Sequence, residues 1–213
     1  MQFSETLKAR HSVRFFEEKP VDEALLLDIV RDATQAPSWV NAQEWKVYIA
    51  LGKTLETIRH AFSARVKANI EGTSDIPVTH RESFSTEALE NMRRFLQARS
   101  DAGLEQVKLE TQAELFHAPA VCFLTVPKTF SHFMLFDLGA FSQTLMLAAA
   151  DRGIASIVAW NPVKYPDILR NNLPIPDTQA IAIAISLGYE KKHPINDFRS
   201  ERRRAEDILT LVR

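Results

Sequence analysis

The stretch Gln179-Ala180-Ile181-Ala182-Ile183-Ala184-Ile185-Ser186-Leu187 decides the fold class. Isoleucine alternates with alanine, no Gly or Pro interrupts, and the run has strand length, so it reads as a central β-strand. Three more segments share that character. Residues 45–50 (Trp-Lys-Val-Tyr-Ile-Ala) alternate and are rich in β-formers, residues 118–126 are an apolar run beside Pro119, and residues 154–160 follow Gly153. Between them lie helical patterns at residues 2–9, 22–35, 54–69, 133–152 and 164–172. In residues 22–35, Leu25, Leu26, Ile29, Val30 and Ala33 recur at helical spacing, with Asp22 and Glu23 in the first turn, where the helix dipole favours negative charge. Gly153 marks the stop of the apolar helix before it. Residues 70–85 read as an exposed loop, and residues 86–115 as helices with wide solvated faces. The basic segment 199–204 leads into a short helix. Four strands that do not alternate strictly with helices imply an α+β domain rather than a doubly wound one.

Composition bounds the function. The chain has 213 residues, 46% of them hydrophobic, enough to bury a core without disulfides or metal. No repeat or Pro/Gly/Ser-rich linker divides it, so residues 1–213 read as one domain. The formal net charge of −1 gives no basic field for nucleic acid. Cys122, the one cysteine, sits in the run Val121-Cys122-Phe123-Leu124 and reads as a small buried apolar residue in a reducing compartment. The N-terminus has no secretory pattern, and the apolar stretches fall short of the ~20 residues of a spanning helix, so the expected location is cytoplasmic. The five histidines besides His11 (His60, His80, His117, His132, His193) lack metal-ligand spacing. There is no Gly-x-Ser-x-Gly and no dinucleotide fingerprint.

Three clusters carry chemistry. Arg10-His11-Ser12-Val13-Arg14 places two guanidinium forks and a hydroxyl within five residues, the donors suited to a phosphate. Residues 36–45, Ala-Pro-Ser-Trp-Val-Asn-Ala-Gln-Glu-Trp, form a loop between helix and strand. The loop offers amide and hydroxyl groups between apolar walls, as a heteroaromatic ring requires. The third is Asn196-Asp197-Phe198-Arg199-Ser200-Glu201-Arg202-Arg203-Arg204, a basic run broken by Glu201.

Together these clusters resemble the nitroreductase family. "RHSVRFF" is similar to its Arg-x-Ser-x-Arg/Lys-x-Phe signature, and "APSWVNAQEWKVYIA" to its Ala-Pro-Ser-x-x-Asn-x-Gln-Pro-Trp segment, with Glu44 where the family often has Pro. "FDLGAFSQTLMLAAADRGIAS" resembles its Asp-x-Gly helix and the strand after it, and "SLGY" with "FRSER" its final strand and tail. The resemblance runs in order from about residue 6 to residue 207.

It implies a three-layer α+β fold with a central, mostly antiparallel sheet, an intertwined homodimer, and FMN bound between subunits. Carried over, Arg10, Ser12 and Arg202 hold the FMN phosphate, with Arg199 a further candidate, and His11 contributes through its backbone or ring. Arg14 reaches the ribityl chain or the pyrimidine edge, where a cation stabilises the anionic reduced flavin and raises its potential. Pro37, Ser38, Trp39 and Asn41 approach from the other subunit. A backbone N–H of Val158, Ala159 or Trp160 meets flavin N5 or O4. Asn69 is a further flavin candidate, and residues 66–116 correspond to the family's substrate lid. The implied activity is transfer of hydride from NAD(P)H through flavin to a nitroaromatic, quinone or similar small acceptor, with no metal and no catalytic side chain. The alternatives are a non-catalytic flavin-binding protein on the same fold and, from the 199–204 run, a nucleic-acid-binding domain.

Overall fold

The computed structural model describes residues 2–104 and 111–213. Each of the four stretches read as strands is one: β1 Lys46–Leu51, β2 Ala120–Pro127, β3 Ala155–Ala159 and β4 Gln179–Gly188. They form one sheet in the order β1-β2-β4-β3, and every neighbouring pair is antiparallel. β2 is buried on both faces: Val121 and Phe123 enter one core, and Ala120, Cys122, Leu124 and Val126 the other. That two-sided burial explains its unbroken apolar sequence.

The Ile/Ala alternation of β4 does not put all its isoleucines on one face. Leu124 pairs with Ile183 and Thr125 with Ile181, leaving Ala182 as the extra residue of a bulge. The bulge flips the alternation, so Ile181 packs in one core and Ile185 in the other.

Helices cover both faces. α1 (Phe3–Ala9) precedes α2 (Glu23–Ala33), whose first turn is capped by Asp22 accepting from Ala24 N at 2.7 Å. α2 places Leu26, Ile29 and Ala33 against the same face as α5 (His132–Asp151), which contributes Leu138, Phe141, Leu145 and Ala149. The opposite face is covered by α3 (Gly52–Lys67), through Leu55, Ile58 and Phe62, and by α6 (Pro166–Asn172), through Ile168 and Leu169. α4 (Thr86–Asp101) and α7 (Pro194–Asp197) lie outside these layers in sequence and frame the site. Helix, sheet and helix give the three expected layers.

α5 is long and apolar enough by length and composition to cross a membrane, longer than the uninterrupted apolar runs suggest, because it carries Asp137 and Gln143 within it. Here its apolar side packs on the sheet and on α2. Gly153 ends the turn after it with φ +73°, and Gly188 closes β4 where a Cβ would lie 2.6 Å from Pro119 Cδ. The 70–85 loop is tied down at several points: Tyr165 Oη donates to Ile70 O at 2.6 Å, Thr73 N donates to Lys164 O at 2.8 Å, and Asp75 is anchored by an ion pair. Asp75 accepts from Ile181 N at 2.8 Å and from Arg170 Nη2 at 2.6 Å, a largely buried ion pair. Cys122 is fully buried, and desolvation pushes its thiol up to about 12.

Candidate functional site

The segment after α1 runs along the sheet edge. Val13 N donates to Ser156 O at 3.0 Å, Glu17 N donates to Tyr189 O at 2.9 Å, and Val13 and Phe16 are buried in the core. Asn196, 1% exposed, fixes the other end of the chain to this segment. Its Oδ1 accepts from Arg14 N at 2.7 Å, and its Nδ2 donates to Phe15 O and Lys191 O, both at 2.8 Å. The tail that follows α7 is therefore held against residues 10–14.

The result is a cleft of about 220 Å³ lined by Arg10, Ser12 and Arg14 from the N-terminal segment, Arg199, Ser200 and Arg202 from the tail, and Phe95 of α4 with Phe198. Arginines separated by almost the whole sequence meet here, as the resemblance implies. Among the described residues no Asp or Glu lines the cleft. Two carboxylates of the adjoining groove are engaged elsewhere: Glu87 pairs with Arg203 and Asp207 with Arg204, each at 2.7 Å, while Glu201 also lines that groove. Burial, and secondarily the charge of Arg202, hold the Arg10 guanidinium below its ordinary pKa. Arg202 gives Nη1 to Ser200 Oγ at 2.6 Å, Arg199 gives Nη1 to the Asn196 carbonyl, and neither forms an ion pair among the described residues. Cations gathered without counter-charge and joined by serine hydroxyls suit a phosphate dianion. The cleft opens into a larger groove of about 630 Å³ between α4 and the tail.

The His11 ring is turned away from that role. Nδ1 lies 2.8 Å from Ala9 O and Nε2 3.1 Å from Glu190 Oε1, so both ring nitrogens are engaged and only the His11 backbone remains for a ligand. Glu190 is a partner that sequence reasoning missed.

β3 is an edge strand, and its register sorts the three backbone candidates. Ser156 turns its carbonyl toward Val13, away from β4. Alternation along a strand then turns the polar groups of Val158 the same way and those of Ala159 toward Ala184 in β4. The Val158 N–H is thus the free edge donor, and that of Ala159 is spent on the sheet. Trp160 lies past the strand end and is 39% exposed, not a core residue.

The loop bearing Pro37, Ser38, Trp39 and Asn41 lies apart from the arginine cleft within one chain and contributes no residue to its lining. It packs on the start of α5, where Trp39 N donates to Asp137 Oδ2 at 2.9 Å and the Trp39 ring meets Phe133 edge-on at 4.4 Å. Val40, Asn41 and Gln43 have φ of 47°, 59° and 49°, a left-handed run of side-chain-bearing residues. Trp39, Val40, Phe133 and Phe136 are all exposed. Asn69 also has positive φ (53°) and lines neither the cleft nor the groove.

Sequence reasoning missed two further residues. Asp137 stands in the quoted "FDLGAF" motif, where a lone acid in an apolar helix was the available signal. Arg99 is 4% exposed near Arg14, and its only sequence signal was the four-residue spacing from Phe95. Part of the 66–116 region, residues 105–110, lies outside the described residues. Among the described residues no group of three or more His, Cys, Asp or Glu could hold a metal.

Comparison with known proteins agrees on one relationship. The model of the Nitroreductase family matches residues 7–189. The nitrobenzene nitroreductase of Ectopseudomonas oleovorans is 29% identical over 217 residues, covering 97% of this chain and 95% of that protein. The 4-nitrobenzoate reductase of Pseudomonas putida is 25% identical over 215 residues, covering 96% and 92%. Among solved structures, the FMN-dependent nitroreductase NfnB from Mycobacterium smegmatis in complex with NADPH aligns with a TM-score of 0.91 and 26% identity, covering 100% of this chain and 99% of that one.

Proposed function

The chain belongs to the nitroreductase family, and on that premise we propose that it is an FMN-dependent NAD(P)H oxidoreductase reducing nitroaromatic acceptors. The observation that carries this reading is the arginine cleft: Arg10, Arg199 and Arg202 with Ser12 converge on one space that no carboxylate lines among the described residues. When bound, FMN supplies a two-electron relay between NAD(P)H and the acceptor. The relatives that cover nearly the whole chain act on nitrobenzene and 4-nitrobenzoate by their names, and the 26%-identical neighbour holds NADPH.

The residues of this chain do the binding and orienting. Arg10, Ser12, Arg199 and Arg202 neutralise the phosphate, and Arg14 stands further along the same cleft. The outward N–H of Val158 donates to the ring edge, and Trp160 walls the acceptor. Two copies complete the site. Trp39, Val40, Phe133 and Phe136 form an exposed apolar face too large for a lone subunit to leave wet, and Ile208, Leu209, Leu211 and Val212 extend an exposed apolar tail. Pairing these surfaces carries Pro37, Ser38, Trp39 and Asn41 of one copy toward the arginine cleft of the other. The whole chain acts as one domain in which residues 66–116 flank the groove where donor and acceptor enter. The cytoplasm, where NAD(P)H is abundant, is the setting this chemistry requires.

The test is an absorption spectrum of purified protein before and after anaerobic NADH and NADPH. A flavin band near ~450 nm that bleaches with donor and returns with a nitroaromatic supports the reading. A colourless protein that FMN does not reconstitute overturns it, and a stable band that no donor bleaches leaves a flavin-binding protein without catalysis.

A further inference from the structure

Arg99 closes the last turn of α4 and is buried. It gives Nη2 to the Leu104 carbonyl at 2.8 Å, its guanidinium lies 5.9 Å from the ring of Phe95, and its Nε has no hydrogen-bond partner. Burial holds its pKa down. Phe95, whose ring Arg99 lies over, lines the same cleft as Arg14; desolvation first, then the Arg99 cation, depress the Arg14 pKa. Arg14 gives Nη1 to the Ser12 carbonyl at 3.1 Å, and neither arginine has an ion-pair partner among the described residues. Two desolvated like charges at the same end of one cleft oppose folding unless an anion answers them. A phosphate dianion in the cleft would be outweighed by the three charges of Arg10, Arg199 and Arg202, and so would leave nothing to answer Arg14 and Arg99.

We propose that Arg99 is a positioning residue that acts through Arg14, the two forming a second cationic subsite for the anionic pyrimidine edge that the flavin acquires on reduction. The inference rests on the FMN reading above and deepens it. With FMN bound, two-electron reduction by NAD(P)H, released as NAD(P)+, would leave the flavin ring with one negative charge at its pyrimidine edge. No second proton is needed if cations face that edge. Arg99, packed over Phe95 with its Nε–H unspent among the described residues, adds its charge to the field that Arg14 presents to the cleft. The pair discriminates between redox states, since oxidised flavin carries no charge on the ring.

The test is the midpoint potential of bound FMN in the holoenzyme, set against the affinity of apo-protein for oxidised FMN. In R99M, reduced FMN is expected to bind about tenfold more weakly relative to oxidised FMN. That ratio is a fall of about 30 mV in the two-electron potential, with the oxidised-FMN Kd changed less than threefold. R99K restores most of the potential because it restores the charge. Should R99M not fold, R99Q, which can still donate to Leu104 O, reads the same quantity. An FMN-loaded R99M or R99Q with the wild-type potential overturns the proposal, as does a folded R99K that falls as far as R99M. A wild-type protein that binds no FMN would instead sink the proposed function itself.

Discussion

Arg10→Gln separates the two halves of the charge argument, because it should act with opposite sign on holo- and apo-protein. In the free chain the Arg10 guanidinium makes no side-chain hydrogen bond among the described residues, and Arg202 stands near enough to depress its pKa. Its backbone N–H, which donates to Thr6 O at 3.0 Å and finishes α1, survives the substitution. Removing the charge therefore costs the apo-protein nothing in contacts and relieves a repulsion. The apo melting temperature should stay level or rise slightly, by the few tenths of a kcal/mol expected of partly exposed charges. With FMN the balance reverses. A hydrogen bond to a charged group contributes about 1.5–3 kcal/mol, and each ~1.4 kcal/mol is a factor of ten in Kd. FMN affinity should accordingly drop about 10- to 150-fold. Titration of apo-protein into FMN, followed by loss of flavin fluorescence, gives the Kd, and a thermal melt without FMN gives the other sign. A Kd within twofold of wild type would refute the phosphate assignment. A clear fall in apo melting temperature would show that Arg10 is a structural residue whose partners this account has wrong.

Other expectations follow from single contacts. Asp137→Ala removes the acceptor of the buried Trp39 N–H and should cost about 1–3 kcal/mol in a urea titration; a loss under half a kcal/mol would mean that the 36–45 loop is held by its aromatic contact alone. Arg170→Met strands Asp75, which is 15% exposed and also caps Ile181 N, so a loss of about 3–5 kcal/mol is expected by the same assay. Val40→Gly frees a β-branched residue from φ 47° and should stabilise the protein by up to ~1 kcal/mol, unless the side chain is buried in an assembled dimer, in which case dissociation measured by sedimentation rises instead. Cys122 has a folded pKa raised to about 12 against ~8.5 unfolded. Its contribution is therefore fully present below ~8.5 and is lost as pH rises from there toward 12. Thiol labelling at pH 8 should report only global opening, and fast labelling of native protein would contradict the burial.

The sequence disclosed the sheet better than the site. All four strands fall where β-formers and alternation placed them, because a strand buried on both faces needs an apolar run and little else. The bulge at Ala182 was not legible, since it depends on which residue of β2 faces which residue of β4. Arg10 and Arg202 were singled out because family spacing carries them. Their meeting also requires Asn196 to clamp the tail to residues 14–15, a set of three hydrogen bonds that no periodicity encodes. His11 looked like a ligand by position, yet Glu190 and Ala9 O claim its ring from a distant strand end and from the helix before it. Arg99 was invisible for a different reason: a charged helix reads as a solvated face, and the one arginine of α4 that the fold buries looks in sequence like its exposed neighbours Arg93 and Arg94.

That last contrast bears on how the site works. Arg93 pairs with Glu90 at 2.7 Å and Arg204 with Asp207 at the same distance, so this chain pairs surface arginines with acids within a turn. Arg10, Arg14, Arg199 and Arg202 depart from that habit together in one cleft, and buried Arg99, over the ring of the cleft-lining Phe95, departs from it too, among the described residues. Five guanidiniums without an ion pair among the described residues, Arg99 buried and Arg14 half-buried, are unfavourable in the free chain, and folding must carry that cost from the apolar cores on either side of the sheet. A ligand that brings both a dianionic phosphate and a ring able to turn anionic removes most of it. Stability and redox bias thus share one origin. Replacing Arg10, whose guanidinium makes no side-chain hydrogen bond among the described residues, should trade apo stability against FMN affinity, and a substitution there that weakened both at once would break the argument.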